Sequence, residues 1–513
     1  MKPHYLLLLA LVVSGLTSCN DQLEDLSQID ETRFSAEYAL PLIDSEVKLK
    51  DLIGDVTDNV SLSVDPDGLL RFRYSGEVPA VAGDVIFTRL NALGQGVLLP
   101  ITQRRQAAPF AGADDVDIDE VHIKSGLLNY SLPNRYDRPV TVTLSIPDAT
   151  LDGEAFEISG QLPAYSGTGT PPALSNPDVA VDLDGYILDL PNDSLYFEYS
   201  IRDDAGNELE PVDGTVVTII NLAFSYMEGY LGQELYPGGR DTIAVNFFDR
   251  YLEGEVYFAD PTITITMLNS FGLPARALVD VLSVIDLDGN VLPITGQGID
   301  DGFDFEYPRV PGEEATTVFV FDTSNSNLDQ ILSARPVALD YEINALVNPD
   351  ADTDILGFLT DSSAYQAKVD VELPLIGSAD RFTVRDTVPL NIVDQYENVT
   401  EVTFRLTTKN GLPIDLEAEG AFLDANDNAV ADLTNGELTL LQAGPVDENG
   451  EALEQVSLTQ DIVLAGERLE AIRSADRLVL TFRISTAGGG TDFVRVTDEQ
   501  ELIVRLGAII KVE

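Results

Sequence analysis

The chain has 513 residues, with 87 acidic side chains against 30 basic ones, a formal charge of −57, two histidines, one cysteine and no tryptophan. One cysteine excludes a disulfide scaffold and a cysteine-based zinc site, and so strong a negative field argues against nucleic acid as a partner. Apolar residues at 44%, with 39 glycines and 27 prolines, fit folded, turn-rich modules, and the length suits about three domains.

Residues 1–18 open with Lys2 and His4, run apolar from Tyr5 to Val13 and end in small residues. A bilayer needs about 20 apolar residues, so the shorter run reads as an export signal that is removed. Leu16-Thr17-Ser18-Cys19 resembles the lipobox of bacterial lipoproteins. The resemblance implies cleavage before Cys19, a diacylglycerol on its thiol and an acyl chain such as palmitate on its amine. Cys19 is then the lipid-attachment residue, and the membrane is a partner through that anchor. The acidic start Asn20-Asp21-Gln22-Leu23-Glu24-Asp25 is similar to the segment that sends lipoproteins of the Bacteroidetes to the outer face of the outer membrane. It points to the cell surface, with the periplasmic face as the alternative. Only seven of the basic residues are lysine, and such a surface suits salty water, where screening weakens self-repulsion.

Beyond the tether the chain reads as strands. Val140, Val142, Leu144 and Ile146 alternate with Thr141, Thr143 and Ser145, and the same period of two recurs at Ile263 to Met267, Val402 to Leu406 and Leu478 to Ile484. The fold expected is all-β, with tandem β-sandwich, immunoglobulin-like modules behind an N-terminal β segment. Self-comparison supports the repetition. Arg240-Asp241-Thr242 aligns with Arg385-Asp386-Thr387, Gly272-Leu273-Pro274 with Gly411-Leu412-Pro413, and Leu328 and Ile331 with Leu469 and Ile472. A weaker earlier copy matches Asn134 and Pro139 to Asn269 and Pro274, and Leu40-Pro41-Leu42-Ile43 echoes Leu373-Pro374-Leu375-Ile376. The resulting division is an export signal (1–18), an acidic tether (19–35), an N-terminal β segment (36–115) and β modules at 116–255, 256–395 and 396–513. The order of strands and turns is similar to the small sandwich domain of the late-embryogenesis, water-stress family. The whole chain resembles multi-domain lipoproteins of marine Bacteroidetes. Neither resemblance implies an active site.

Candidate chemistry is sparse. After removal of the signal His122 is the remaining histidine, and in Val121-His122-Ile123 it reads as an outward strand residue. Ser45-Glu46-Val47-Lys48 fits Ser-x-x-Lys without the partner motifs, and the Gly-rich Ser166 to Pro172 lacks the lysine and helix of a phosphate loop. Calcium is the metal the residues allow: Asp350, Asp352, Asp354 and Asp361 take positions 1, 3, 5 and 12 of an EF-type loop, although Ile355 stands where Gly is needed. Asp115, Asp117 and Asp119, with Glu120, form a second acidic run. Both runs also read as solvated faces. Asp65-Pro66-Asp67-Gly68 and Asp182-Leu183-Asp184-Gly185 read as hairpin turns.

The segment from Tyr226 to Gly239 places Tyr226, Tyr230 and Tyr236 on what reads as a Gly-rich loop, either a binding loop or packing between modules. The function expected is a lipid-anchored envelope protein with a non-catalytic binding, adhesion or structural role, its partners glycan or envelope proteins, and no cofactor unless calcium. The alternative is a carbohydrate-active hydrolase or glycan-uptake accessory lipoprotein, which needs two facing carboxylates in a cleft.

Overall fold

The computed structural model describes residues 36–48, 54–57, 60–82, 87, 97–109, 116–245, 247, 251–332, 334–390, 398–434 and 436–512. The export signal, Cys19, the acidic tether and Asp115 lie outside the described residues.

Where apolar and polar residues alternate, one face of each strand is buried. Val140, Val142, Leu144 and Ile146 lie inside while Thr141 is exposed, and Ile263, Ile265, Met267 and Asn269 lie inside between half-buried neighbours. The protein is all-β. Its principal strands begin with β1 (Ala36–Lys48), β2 (Val60–Val64), β3 (Leu70–Ala82), β4 (Val97–Pro100) and β5 (Arg105–Pro109). The first module then supplies β6 (Asp117–Pro133), β7 (Val140–Leu151), β8 (Ser194–Asp203) and β9 (Val216–Tyr230). Next come β10 (Glu234–Tyr236), β11 (Arg240–Ala244), β12 (Tyr251–Phe258), β13 (Thr262–Asn269), β14 (Ala275–Asp286) and β15 (Ala315–Phe321). After helix α1 (Leu328–Leu332) follow β16 (Pro336–Val347), β17 (Gly357–Thr360) and β18 (Ala364–Pro374). The last group is β19 (Ile376–Pro389), β20 (Val399–Asn410), β21 (Ile414–Leu423), β22 (Val456–Ala465), helix α2 (Gly466–Ile472), β23 (Arg477–Thr486) and β24 (Glu501–Val512).

One pairing scheme serves three modules. The first strand of each pairs antiparallel with its last: β6 with β9, β13 with β18, β20 with β24. The second pairs with the penultimate: β7 with β8, β14 with β16, β21 with β23. In the second and third modules a short helix, α1 or α2, precedes the penultimate strand, as the alignment of Leu328 with Leu469 implies.

The segment 36–115 forms no sheet of its own among the described residues; its strands complete the modules in reverse order. β1 pairs with β24 of the third, β3 with β18 of the second and β4 with β9 of the first. Each covers the open edge of a last strand, where unpaired N–H and C=O groups would otherwise invite association. The chain therefore runs back along the modules before building them forward. The division near residue 255 also falls inside β12, which pairs with β19 of the third module.

Other contacts join the modules in series. β17, from the second, pairs with β9 of the first, from Tyr226↔Thr360 to Gly229↔Gly357. Between the second and third, the Asp65-Pro66-Asp67-Gly68 hairpin that joins β2 and β3 is wedged at the junction. Leu70 N–H donates to Val496 O (3.0 Å), Leu375 N–H to Leu70 O (2.8 Å), and Val496 N–H to Leu375 O (2.9 Å). Arg495 pairs with Asp67 at 2.5 Å. One apolar core runs through the first two modules and another fills the third, with Phe72 and Leu375 packed against both.

A buried asparagine ends the first strand of every module. Asn134, Asn269 and Asn410 are each 0% exposed. Each side-chain oxygen accepts the N–H two residues on: from Tyr136 (2.8 Å), Phe271 (2.8 Å) and Leu412 (3.0 Å). The amide nitrogens donate to carbonyls: Asn134 to Arg138 and Pro163, Asn269 to Glu306, and Asn410 to Ile414 and Gln442. A buried amide whose oxygen and nitrogen are both engaged offsets its burial and fixes where the strand turns over.

Aspartates that open tight turns recur in the same way. Asp286 accepts N–H bonds from Asp288 (2.9 Å) and Asn290 (2.8 Å), and Asp424 from Asn426 and Asn428 (both 2.9 Å). Asp203 and Asp447 do the same in their own turns. Hydrogen bonds from the Asn290 and Asn207 side chains hold the Asp286 and Asp203 carboxyls below the ordinary range. Backbone N–H bonds from Asn428 and Glu451 do so for Asp424 and Asp447. A carboxyl with a depressed folded-state pKa adds stability that is present above its unfolded value of about 3.9 and lost as pH falls through the folded value. The destabilisation caused by Asp286→Ala, measured by urea unfolding, should therefore be larger at pH 7 than near pH 3. An equal effect at both would show that the charge on Asp286 is irrelevant to the turn.

Candidate functional site

Of the segments singled out in the sequence, the one around Tyr226 is brought into contact with other candidate residues, and it is not a loop. Tyr226 and Tyr230 lie on β9 and Tyr236 on β10. The glycines mislead because they sit at strand irregularities. Gly229 follows a register shift in β9, where a Cβ would come 2.2 Å from Asp117 O, and Gly232 takes φ 73 in the turn before β10. Tyr236 packs beside Phe271 and Tyr365, with ring centroids 6.4 and 6.1 Å apart, and its hydroxyl donates to Glu234 at 3.0 Å.

Strand register places Tyr226 opposite His122 and Glu228 opposite Glu120, so four polar side chains share one patch of the β6–β9 ladder. His122 lies 4.4 Å from the Tyr226 ring, and its Nε2 is 2.8 Å from Glu120 Oε1. The Tyr226 hydroxyl donates to Glu228. Burial, then the Glu228 carboxylate, raises the Tyr226 hydroxyl well above the ordinary phenol range. His122 is half-buried between the buried Val121 and Ile123, as strand alternation predicts. Each polar group is engaged by its neighbour, and the two carboxylates stand side by side on one sheet.

The calcium candidates do not converge. Asp352 N–H donates to Asn348 Oδ1 (3.1 Å) and Asp354 N–H to Asp352 Oδ1 (2.9 Å), an Asx-type turn after β16. Asp361 instead accepts from Lys124 on β6. Asp350 lies inside the turn that Asn348 opens. Asp117 meets Asp193, whose negative charge raises the Asp117 carboxyl, and Asp193 Oδ1 accepts the Ile118 N–H (3.2 Å). Among the described residues no three histidine, cysteine or acidic side chains are grouped so as to hold a metal ion.

Ser45 to Lys48 is strand, the end of β1, and Ser166 to Pro172 is a loop in which Tyr165 donates to Gly169 O at 3.0 Å. Asp182-Leu183-Asp184-Gly185 is not a hairpin turn. The short strands on either side of it both pair with β6, at Val181↔Leu128 and Ile187↔His122, so it is a bulged excursion along one neighbour. Sequence reasoning missed Tyr257 and Phe493. Among the described residues they are the exposed aromatic side chains, at 42% and 55%, and alternation along an edge strand was the available signal for Tyr257.

No helix among the described residues is long and apolar enough to cross a membrane. No protein-family model matches the chain, and no curated protein matches it. Among solved structures, one from Parabacteroides distasonis described as a secreted protein is similar over 93% of this chain and 100% of that one, at 11% identity and a TM-score of 0.23. The structure of infectious bursal disease virus, Gx strain, is similar over 94% of this chain and 83% of that one, at 7% identity and a TM-score of 0.16. Likenesses this distant carry nothing about activity.

Proposed function

We propose that this is a lipid-anchored envelope protein whose role is binding or structural rather than catalytic. The observation that supports the reading is the interlocking of the modules: each is completed by a strand from the N-terminal segment, and successive modules share strands or hairpins. Such a body presents surfaces in a fixed relation and has few joints to open around a substrate. β1 begins at Ala36, opposite Val512, so a tether at residues 19–35 would leave from the third module and hold the first module outermost. The hydrolase alternative needs two carboxylates facing across a gap. Glu120 and Glu228 are cross-strand neighbours already bonded to His122 and Tyr226.

The anchor is tested by feeding cells an alkyne-tagged palmitate analogue and partitioning the extract in Triton X-114. The wild-type chain should carry the label and enter the detergent phase, and Cys19→Ser should do neither. A wild-type chain that stays unlabelled in the aqueous phase would overturn the reading. Protease shaving of intact cells separates the surface from the periplasmic face.

A further inference from the structure

We infer that Tyr257 and Phe493 form a stacking platform for a neutral glycan. The inference deepens the binding role proposed above and rests on it. Among the described residues the other aromatic side chains are buried or half-buried, whereas these two are the most exposed and touch one another, with ring centroids 5.6 Å apart and planes at 65°. Leaving two rings in water forgoes the apolar burial that every other described aromatic obtains.

Both rings stand on fixed backbone. Tyr257 lies on β12 opposite Ser378 of β19. Phe493 follows a triple-glycine turn clamped by Gly490 N–H to Thr486 O (2.9 Å), Asp492 N–H to Ala487 O (3.2 Å) and Arg495 N–H to Gly450 O (2.8 Å). Arg495 is in turn held by Asp67 and Glu451. The platform is thus pre-organised, which lowers the ordering cost of binding.

The surroundings select the occupant. β12 is the outer strand of its sheet, but its ladder is broken by shifts between Tyr251 and Glu253 and between Glu253 and Glu255, and both glutamates are exposed. Gly254, at φ 98, fixes that break, because a Cβ there would lie 2.1 Å from Arg381 O. Bulges and charges of this kind block the addition of a partner strand. An anionic polymer is repelled by a chain of formal charge −57. A two-ring patch is also far smaller than a stable protein interface, which buries about 1,200 Å² or more. A sugar ring fits: its C–H face stacks on an aromatic face while its hydroxyls donate to acceptors such as Asp492 and Glu255.

Affinity electrophoresis tests this with the full mature chain carrying Cys19→Ser, so the outcome is independent of lipidation. Gels are cast with laminarin, yeast mannan, amylopectin, galactomannan or xyloglucan, and with alginate as the anionic control. At least one neutral polysaccharide should retard the protein and alginate should not. Tyr257→Ala and Phe493→Ala should each weaken the retention about three- to tenfold, with unfolding midpoints unchanged because both side chains are exposed. Absence of retardation in every neutral gel, or retardation that survives the double variant, would overturn the inference. So would titration of an oligolysine peptide that binds through the two rings while no glycan does.

Discussion

Deleting residues 36–48 is expected to lower the unfolding transition of the third module by about 10 °C in differential scanning calorimetry. β1 contributes a complete antiparallel ladder to β24, from Ala36↔Val512 to Lys48↔Glu501, with one register shift between Pro41 and Ile43. Leu42 and Ile43 also pack against the core of that module. Half-burying two such side chains and pairing one strand edge, less the entropy of ordering the segment, amounts to roughly 3 kcal/mol. The deletion also bares β24 as a sheet edge, so the shortened chain should self-associate in sedimentation. Hydrogen exchange gives the local readout: amides of residues 501–512 should lose protection while those of β6 and β9 keep theirs. Unchanged protection along β24 would mean that β1 is not what closes that edge.

Replacing Asn410 with alanine should cost roughly 3 kcal/mol, read as a fall in the urea midpoint at constant slope. The substitution strands the Leu412 N–H and the carbonyls of Ile414 and Gln442 in a site that is 0% exposed. Asn269→Ala should cost less, because its amide nitrogen makes one bond, to Glu306 O, where Asn410 makes two. Asn410→Asp should be worse than alanine at pH 7: it keeps an acceptor but loses both donors and buries a charge. A loss below about 1 kcal/mol for Asn410→Ala would show that water replaces the missing amide.

Alternation made the strands legible, because a period of two depends only on neighbours along the chain. The match of Asn134 to Asn269 and of Leu328 to Leu469 carried the repetition as well, since equivalent positions do equivalent jobs: a buried latch and a helix packed before the penultimate strand. The partners of β1, β3 and β4 were not legible. Nothing local in Leu40-Pro41-Leu42 specifies β24, hundreds of residues away, as its neighbour; that choice is made by which edge is open once the modules fold. In the tyrosine segment the loop reading failed for a related reason, since glycine marks a bulge inside a strand as readily as a loop between strands, while the alternative of packing between modules holds: Tyr226 stacks on Phe358 and Tyr236 lies beside Phe271 and Tyr365. The acidic runs are weak signals for a metal because a chain with 87 carboxyl side chains places aspartates at ligand spacing by composition alone, and Asp361 of the first run is engaged by Lys124 instead. Exposure is a property of the assembled surface, so the Tyr257 and Phe493 pair became visible only when β12 and the loop before Arg495 came together.

The path of β1 has a mechanical corollary. The strand starts beside Val512 at the end of β24 and ends at Lys48, close to where β2 and β3 enter the second module. A pull on residue 36 against a load held by the first module would act along the length of β1, so its ladder bonds with β24 would share the strain together instead of parting one after another like a zipper. In the anchored arrangement proposed above, flow dragging on the first module would meet resistance in the most tear-resistant direction a strand offers.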